Sequence, residues 1–361
     1  MAFKRKFRTL DALRGIAAIG VLMGHYKFLF RPIEFTGLFA VDLFFAMSGF
    51  VIAYSYERRF QDGMVTAEFF LIRLIRFYPL YILGTLLGLL ITAASFVKGS
   101  APEWSNANIL WASISAIFMV PTPLPVTLIG TQDAIIFPLN NVAWSLFLEM
   151  AINVIYAATW RYWTKPNLVV WSISSAIMLA ISIWYFRGMD TGWSAQNFLG
   201  GVTRVLFSFP IGVLIFRLHK SDRNFGLSGF VVALGTATIL MINFHWSYPA
   251  QAIIAMVVLP SVLWLSVRSE PTRIIGRVAR FFGDISYAVY AIHLPAILLL
   301  LRSVQKFGLD PGAFAPLSGL AILTGIFVVC SILDIYDQRI RKYLLGLIHR
   351  HKSILAARTG R

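Results

Sequence analysis

The stretch LDALRGIAAIGVLMGHYKFLF, from Leu10 to Phe30, decides the fold predicted for this chain of 361 residues. It is apolar over most of its length, and a run of about 18 or more apolar residues is typical of a helix that crosses a membrane. Three ionisable groups interrupt it, Asp11 and Arg14 near its start and His25 further on. With a helical rise of about 1.5 Å per residue, Arg14 and His25 lie about 16 Å apart along the axis. Because ionisable groups at membrane depth are energetically costly, each of these positions is a candidate functional residue.

Composition extends the same conclusion to the whole chain. Hydrophobic residues make up 58% of it and charged residues only 13%, whereas a soluble protein carries about 25% charged residues. We therefore predict an all-α, polytopic membrane helix bundle forming one domain over residues 1–361. The net charge of +16 is explained by the Lys and Arg that collect in cytoplasmic loops, so a nucleic-acid partner is not expected. We find no metal-ligand spacing and expect neither a metal nor a permanently bound cofactor.

The distribution of Lys and Arg between the apolar runs predicts ten transmembrane helices with both termini in the cytoplasm. One further apolar segment, residues 109–120, is too short to span a membrane. It has to enter and leave on the outer side, and we predict a re-entrant or interfacial helix there. The predicted spans are residues 12–30, 38–56, 77–97, 143–160, 168–186, 199–216, 228–244, 250–267, 284–302 and 316–337.

Counting residues from the predicted helix ends places four ionisable side chains in the outer half of the membrane: His25, Asp42, Glu149 and Arg204. Such a group suits general-base chemistry, in which a neutral imidazole takes a proton from a hydroxyl while a carboxylate orients it. Glu149 is the favoured partner of His25 by depth, with Asp42 as the other candidate. Two alternatives stay open, a structural ion-pair network and a proton path in a transporter.

Three arginines define an inner level. Arg73 and Arg76 lie on one face of a helix at the membrane boundary, and Arg14 begins the first span. Arginines so placed can bind phosphate groups through paired hydrogen bonds, although contact with lipid headgroups is the simpler explanation for any one of them. Asp11 belongs to this inner level, because about 21 Å of helix separates it from His25.

Five motifs follow one another along the chain: LDALRGIAA (10–18) followed by His25, VDLFFAMSGFVI (41–52), RLIRFYPLY (73–81), NVAWSLFLEM (141–150) and FFGDISYAVYAIHLP (281–295). In this order they resemble acyltransferase family 3, integral membrane enzymes that transfer acyl groups, usually acetyl, to extracytoplasmic glycans. In the fourth motif Met150 and Ala151 follow Glu149, where many relatives carry a further acidic or glutamine residue, which leaves the finer acceptor-site geometry open.

The resemblance implies a donor and an acceptor on opposite sides. The donor would be acetyl-coenzyme A or another acyl-coenzyme A, bound from the cytoplasm near Arg14, Arg73, Arg76 and Asp11, with Ser286 and Tyr287 lining its channel or merely packing. The acceptor would be a glycan or glycolipid at the outer face of a bacterial inner membrane, near Trp144, Ser145, Arg204 and His293, of which His293 is at least as well explained as a packing residue.

As a mechanism, we expect His25 to deprotonate the acceptor hydroxyl, with Glu149 or Asp42 as the orienting carboxylate. Direct transfer would follow, and an acyl-histidine intermediate is the less favoured route. Membrane lipids are the other expected partner, and the sequence leaves the oligomeric state open. The competing hypothesis is a secondary transporter or exporter of a small solute, in which the same cluster carries protons. The lack of an internal repeat argues against it, since such repeats build many transporters. A purely structural membrane protein has no need of four ionisable groups at one depth.

Overall fold

The computed structural model describes residues 7–127, 133–219 and 229–359, with side chains described as far as Ile348. The first residue of the predicted span 228–244 and both chain ends of the predicted domain lie outside the described residues. The helices are α1 (Arg8–His25), α2 (Ala40–Gln61), α3 (Thr66–Val97), α4 (Asn106–Ile117), α5 (Ala143–Thr159), α6 (Lys165–Tyr185), α7 (Phe198–Leu218), α8 (Gly229–Met241), α9 (Tyr248–Ile253), α10 (Leu259–Ser266), α11 (Arg273–Gln305) and α12 (Leu317–Thr359). One π-helical turn, Ile254–Val258, joins α9 to α10.

Six helices in the described part of the chain are long and apolar enough to cross a membrane: α3, α6, α7, the continuous α9–α10 stretch, α11, and α12 as far as Ile348. The other predicted spans are shorter or more polar. Helix α5 has 17 residues, and α1 carries Arg8, Asp11 and Arg14 within 18 residues. The predicted all-α membrane bundle is thus confirmed, and the ten-span topology stays a prediction.

Two helices begin well before the apolar stretches that predicted them. Helix α3 begins at Thr66 instead of near residue 77, and α11 begins at Arg273 instead of near residue 284. Arg73 and Arg76 therefore lie well inside a regular helix, several residues from its first turn. Since helical geometry fixes the direction of their side chains, both can point into the bundle.

Small residues bring the central helices close together. In the α1–α11 contact, a Cβ added to Gly15 would lie 2.5 Å from the Cβ of Phe282, and one added to Gly283 would lie 2.6 Å from the Cβ of Asp11. In the α2–α7 contact, Gly49 and Gly212 each face a backbone carbonyl of the other helix. Glycine at such positions allows the backbones of membrane helices to approach closely. These two pairs form the centre of the bundle, and the candidate site lies between them.

The segment predicted as a re-entrant or interfacial helix forms α4, whose N-terminus is capped by Ser105. The hydroxyls of Tyr78 and Tyr81 on α3 donate to the carbonyls of Ile117 (3.0 Å) and Ala116 (2.8 Å) at the other end of α4. Beyond it, β1 (Val126–Thr127) and β2 (Ala134–Ile135) form a small antiparallel pair. This segment covers the end of the bundle at which α5 begins.

Candidate functional site

A cavity of about 440 Å³ opens at the end of the bundle where α1 ends and α2, α5 and α7 begin. We call it the histidine cavity. His25, at the last residue of α1, is exposed in it. Its polar and aromatic lining residues are His25, Lys27, Phe35, Thr36, Asn141, Trp144, Asp190, Trp193, Arg204, Asn243 and Tyr290.

His25 pairs with a second histidine. Its Nδ1 lies 3.1 Å from Nε2 of His293 on α11. His293 is fully buried, and its own Nδ1 lies 3.0 Å from the Val289 carbonyl oxygen and 2.9 Å from that of Tyr290. The fifth sequence motif, which lies within α11, thus places a buried imidazole next to the exposed one.

Arg204 and Asp42 form a buried ion pair beside this cavity. Arg204 is 3% exposed and Asp42 is 1% exposed, and their closest atoms, Nη2 and Oδ2, are 2.7 Å apart. The guanidinium also donates to the carbonyls of Leu38, Met189 and Thr191 at 2.8–2.9 Å. With all of its nitrogens bonded, Arg204 holds α2, α7 and the loop before α7 together.

A second cavity, of about 390 Å³, lies toward the start of α1 and the end of α2 and is lined by four arginines, Arg14, Arg59, Arg73 and Arg76. We call it the arginine cavity. Glu149 on α5 is the one carboxylate among its described lining residues. Since four guanidinium groups face one carboxylate, the cavity has an excess of positive charge suited to an anionic ligand.

Glu149 is bound to α2 and α3 rather than to α1. Its Oε1 accepts hydrogen bonds from the Ser48 hydroxyl (2.6 Å) and from Nη2 of Arg73 (3.2 Å). The Arg73 guanidinium also lies over the ring of Phe77, 4.6 Å from its centroid. These contacts fix the direction of Arg73 at the cavity wall.

The remaining predicted donor residues lie at or beside the same cavity. Ser286 and Tyr287 on α11 line it, with their hydroxyls donating to the carbonyls of Gly283 (2.7 Å) and Phe77 (2.5 Å). Asp11 packs against Gly283 and interacts electrostatically with Arg14. The structure therefore brings together the residues that the sequence assigned to the inner level.

The two cavities share a wall. Val41 and Tyr290 line both of them, and the Tyr290 hydroxyl is 2.5 Å from the hydroxyl of Ser145, which also lines the arginine cavity. We call Val41, Ser145 and Tyr290 the partition. A bound molecule in one cavity is thus separated from the other cavity by a single layer of side chains.

The pairings predicted from depth differ from the contacts that form. His25 contacts His293, Glu149 contacts Arg73 and Ser48, and Asp42 contacts Arg204. The side chain in contact with the His25 ring is therefore the imidazole of His293 and not the predicted carboxylate of Glu149 or Asp42. Helical rise gives a residue's height in the bundle, but it does not tell which neighbouring helix the side chain faces.

Several residues that line the two cavities were given no site role by the sequence reasoning, among them Arg59, Ser48, Asp190 and Tyr290. Tyr290 belongs to the same motif as His293. The two residues are three positions apart on one helix, and this spacing could have indicated that both face one site. Ser48 lies within the second motif and was not singled out. Asp190 follows α6 in a loop, where neither periodicity nor spacing marks it.

With this geometry in place, comparison with known proteins defines the class. Residues 7–334 match the family model described as an acyltransferase domain. The chain is 33% identical over 184 residues to "Protein 2 in picA locus" of Rhizobium radiobacter, covering 48% of this chain and 93% of that protein. It is 25% identical over 325 residues to "Exopolysaccharide production protein ExoZ" of Rhizobium meliloti (strain 1021), covering 87% of this chain and 94% of that protein. No solved structure matches the chain.

A membrane helix bundle with this site and this match defines an integral membrane acyltransferase. The chain belongs to acyltransferase family 3.

Proposed function

We propose that the protein moves an acyl group, most simply acetyl, from cytoplasmic acyl-coenzyme A to a hydroxyl of a surface or exported polysaccharide or oligosaccharide on the outer side of a bacterial inner membrane. The observation that carries this proposal is the pair of cavities meeting at the partition. One is lined by arginines and the other contains His25. Two chemically different cavities with a common wall suit a transfer between two substrates that enter from opposite sides.

The arginine cavity supports the choice of donor. Coenzyme A carries phosphate groups, and guanidinium groups bind phosphates through charge-assisted hydrogen bonds. The cavity volume of about 390 Å³ falls within the range of about 300–1,000 Å³ that is usual for ligand sites. We propose that Arg14, Arg73 and Arg76 hold the phosphates while the pantetheine arm extends toward the partition.

The histidine cavity supports the chemistry of transfer. His25 takes the proton of the acceptor hydroxyl, and the oxygen attacks the thioester carbonyl carbon. As the tetrahedral intermediate collapses, the C–S bond breaks, and the proton held by His25 passes to the departing sulfur. The products are an ester and free coenzyme A, so no further reactant is needed. In this scheme Glu149 orients Arg73 in the donor site, in accordance with its contacts.

The proposed acceptor is a glycan for two reasons. Trp144 and Trp193 line the histidine cavity, and aromatic faces suit the apolar faces of sugar rings. The name of the relative from Rhizobium meliloti refers to exopolysaccharide production. The proposed topology, ten spans with both termini in the cytoplasm, opens the histidine cavity to the outer side, where such acceptors are exported.

Deletion of the gene from the source organism tests the proposal. We expect mass analysis of the surface and exported polysaccharides to show the loss of one acyl group, restored by the wild-type gene. His25→Ala should not restore it, because general-base catalysis contributes about 10²- to 10⁴-fold to the rate. Immunoblotting of membranes confirms that the variant is present at the wild-type level.

Purified protein provides the second arm of the test. We expect transfer from radiolabelled acetyl-coenzyme A to polysaccharide isolated from the deletion strain. An unchanged acyl content in the deletion strain, together with counterflow of a small solute in proteoliposomes, would instead identify a transporter.

A further inference from the structure

The hydrogen bonds of His293 fix the position of its proton. Its Nδ1 lies 3.0 Å from the Val289 carbonyl oxygen and 2.9 Å from the Tyr290 carbonyl oxygen. A carbonyl oxygen can only accept, so Nδ1 of His293 carries the hydrogen and donates it. In the neutral ring, Nε2 then has a lone pair and can only accept.

The proton of His25 follows from that assignment. Its Nδ1 is 3.1 Å from the accepting Nε2 of His293, so Nδ1 of His25 has to be the donor. The Val21 carbonyl, one helical turn earlier, also interacts with the His25 ring. Neutral His25 therefore has its hydrogen on Nδ1 and its lone pair on Nε2, and Nε2 is the ring nitrogen left for the cavity in which His25 is exposed.

We propose that His293 is a positioning residue, which holds the His25 ring in the tautomer that presents Nε2 to the acceptor hydroxyl. This inference rests on the proposed function, in which Nε2 of His25 is the base. His293 takes the place of the carboxylate that orients the base in a serine hydrolase triad. Unlike a carboxylate, it fixes the tautomer without adding a negative charge.

The contacts and burial of His293 indicate that it orients His25. They also indicate that His293 does not accept the proton that His25 takes from the acceptor hydroxyl. Its Nδ1 already donates to two backbone carbonyls, and the side chain is 0% exposed. A second proton, on Nε2, would create a fully buried imidazolium whose described partners include no carboxylate. Because an unpaired buried charge is costly, the proton taken from the acceptor stays on Nε2 of His25 until it passes to the departing sulfur.

Two substitutions of His293 separate positioning from packing. In His293→Gln, the side-chain oxygen can occupy the place of Nε2 and accept from His25, whereas His293→Leu fills the space with no acceptor. We expect the leucine variant to lose at least about tenfold in kcat. This loss is part of the total of about 10²- to 10⁴-fold that general-base catalysis contributes to the rate. The KM for acetyl-coenzyme A should stay within about twofold of wild type, since only a transition-state contact is lost. The glutamine variant should keep most of the wild-type kcat.

His245→Gln is the matched control. This histidine is 75% exposed and pairs with Glu34 at the surface. The substitution removes an imidazole that lines neither cavity from the same end of the bundle, and we expect wild-type kcat and KM. All variants are assayed with radiolabelled acetyl-coenzyme A and polysaccharide from the deletion strain.

A measurement without turnover reports the tautomer directly. In protein labelled with ¹⁵N-histidine, the ring nitrogens of His25, assigned by their loss in His25→Gln, should show a protonated Nδ1 and an unprotonated Nε2. His293→Leu should shift the population toward the other tautomer. Wild-type kcat in His293→Leu, or a protonated Nε2 in neutral wild-type His25, would overturn the proposal. A wild-type protein that shows the expected tautomer but no acyl transfer would contradict the proposed function instead.

Discussion

Arg73 and Arg204 are both buried arginines, 7% and 3% exposed, yet their bonding differs. Each nitrogen of Arg204 has a partner, whereas Nε of Arg73 is buried with none. A buried donor without an acceptor is destabilising by about 1–3 kcal/mol and is usually explained by a ligand or by function. Arg204 thus has no unused hydrogen-bond donor beside the histidine cavity, whereas Arg73 has one at the arginine cavity.

A double substitution tests the donor role of these arginines. Arg73→Ala with Arg76→Ala should raise the KM for acetyl-coenzyme A by at least about tenfold, because each hydrogen bond to a charged group contributes about 1.5–3 kcal/mol. The steady-state kinetics of the purified protein give this value. Arg58→Ala is the matched control, since Arg58 is exposed and lies outside both cavities. An unchanged KM in the double variant would show that the donor binds elsewhere.

At the scale of helices, the sequence predicted the elements better than their contacts. Apolar run length indicated where helices lie, because the membrane sets that length. It could not show that α3 begins at Thr66, since the first turns carry charges and are stabilised by neighbouring helices instead of lipid. Height along a helix placed Glu149 beside His25, but the direction in which α5 faces turns Glu149 toward α3 and Arg73. The direction in which a helix face points depends on packing against segments distant in the chain. The residues near Glu149 in the sequence do not contain that information.

The ion pair between α2 and α7 is the contact whose loss should matter most to these elements. Arg204→Met leaves the Asp42 carboxylate buried without a cation, which should lower the free energy of unfolding by about 3–5 kcal/mol. Thermal unfolding in detergent measures the loss. Asp42→Leu combined with Arg204→Met should recover much of it, because two apolar side chains can replace a buried ion pair at little net cost. Equal stability of Arg204→Met and wild type would show that the pair is not required to hold the helices together.

At the scale of the molecule, the proposed topology predicts which loops face each side. Ser100, in the loop after α3, and Asp62, in the loop between α2 and α3, are both exposed, and the ten-span arrangement puts them on opposite sides. In intact spheroplasts, a membrane-impermeant maleimide should label Ser100→Cys but should label Asp62→Cys only after permeabilisation. The native Cys330 is buried and gives little background. Labelling of both positions from outside would contradict the topology.

The partition of Val41, Ser145 and Tyr290 has an electrical consequence. When water fills the two cavities, the membrane potential falls mainly across the thin layer between them, which Val41 and Tyr290 share, instead of across the whole bilayer. A unit charge crossing the full potential changes its energy by about 2.3 kcal/mol per 100 mV. A neutral thioester arm can extend through the layer without that penalty, whereas ions meet the concentrated field. In the proposed function, the side chains that separate the two substrates would therefore also limit the leakage of ions through the protein.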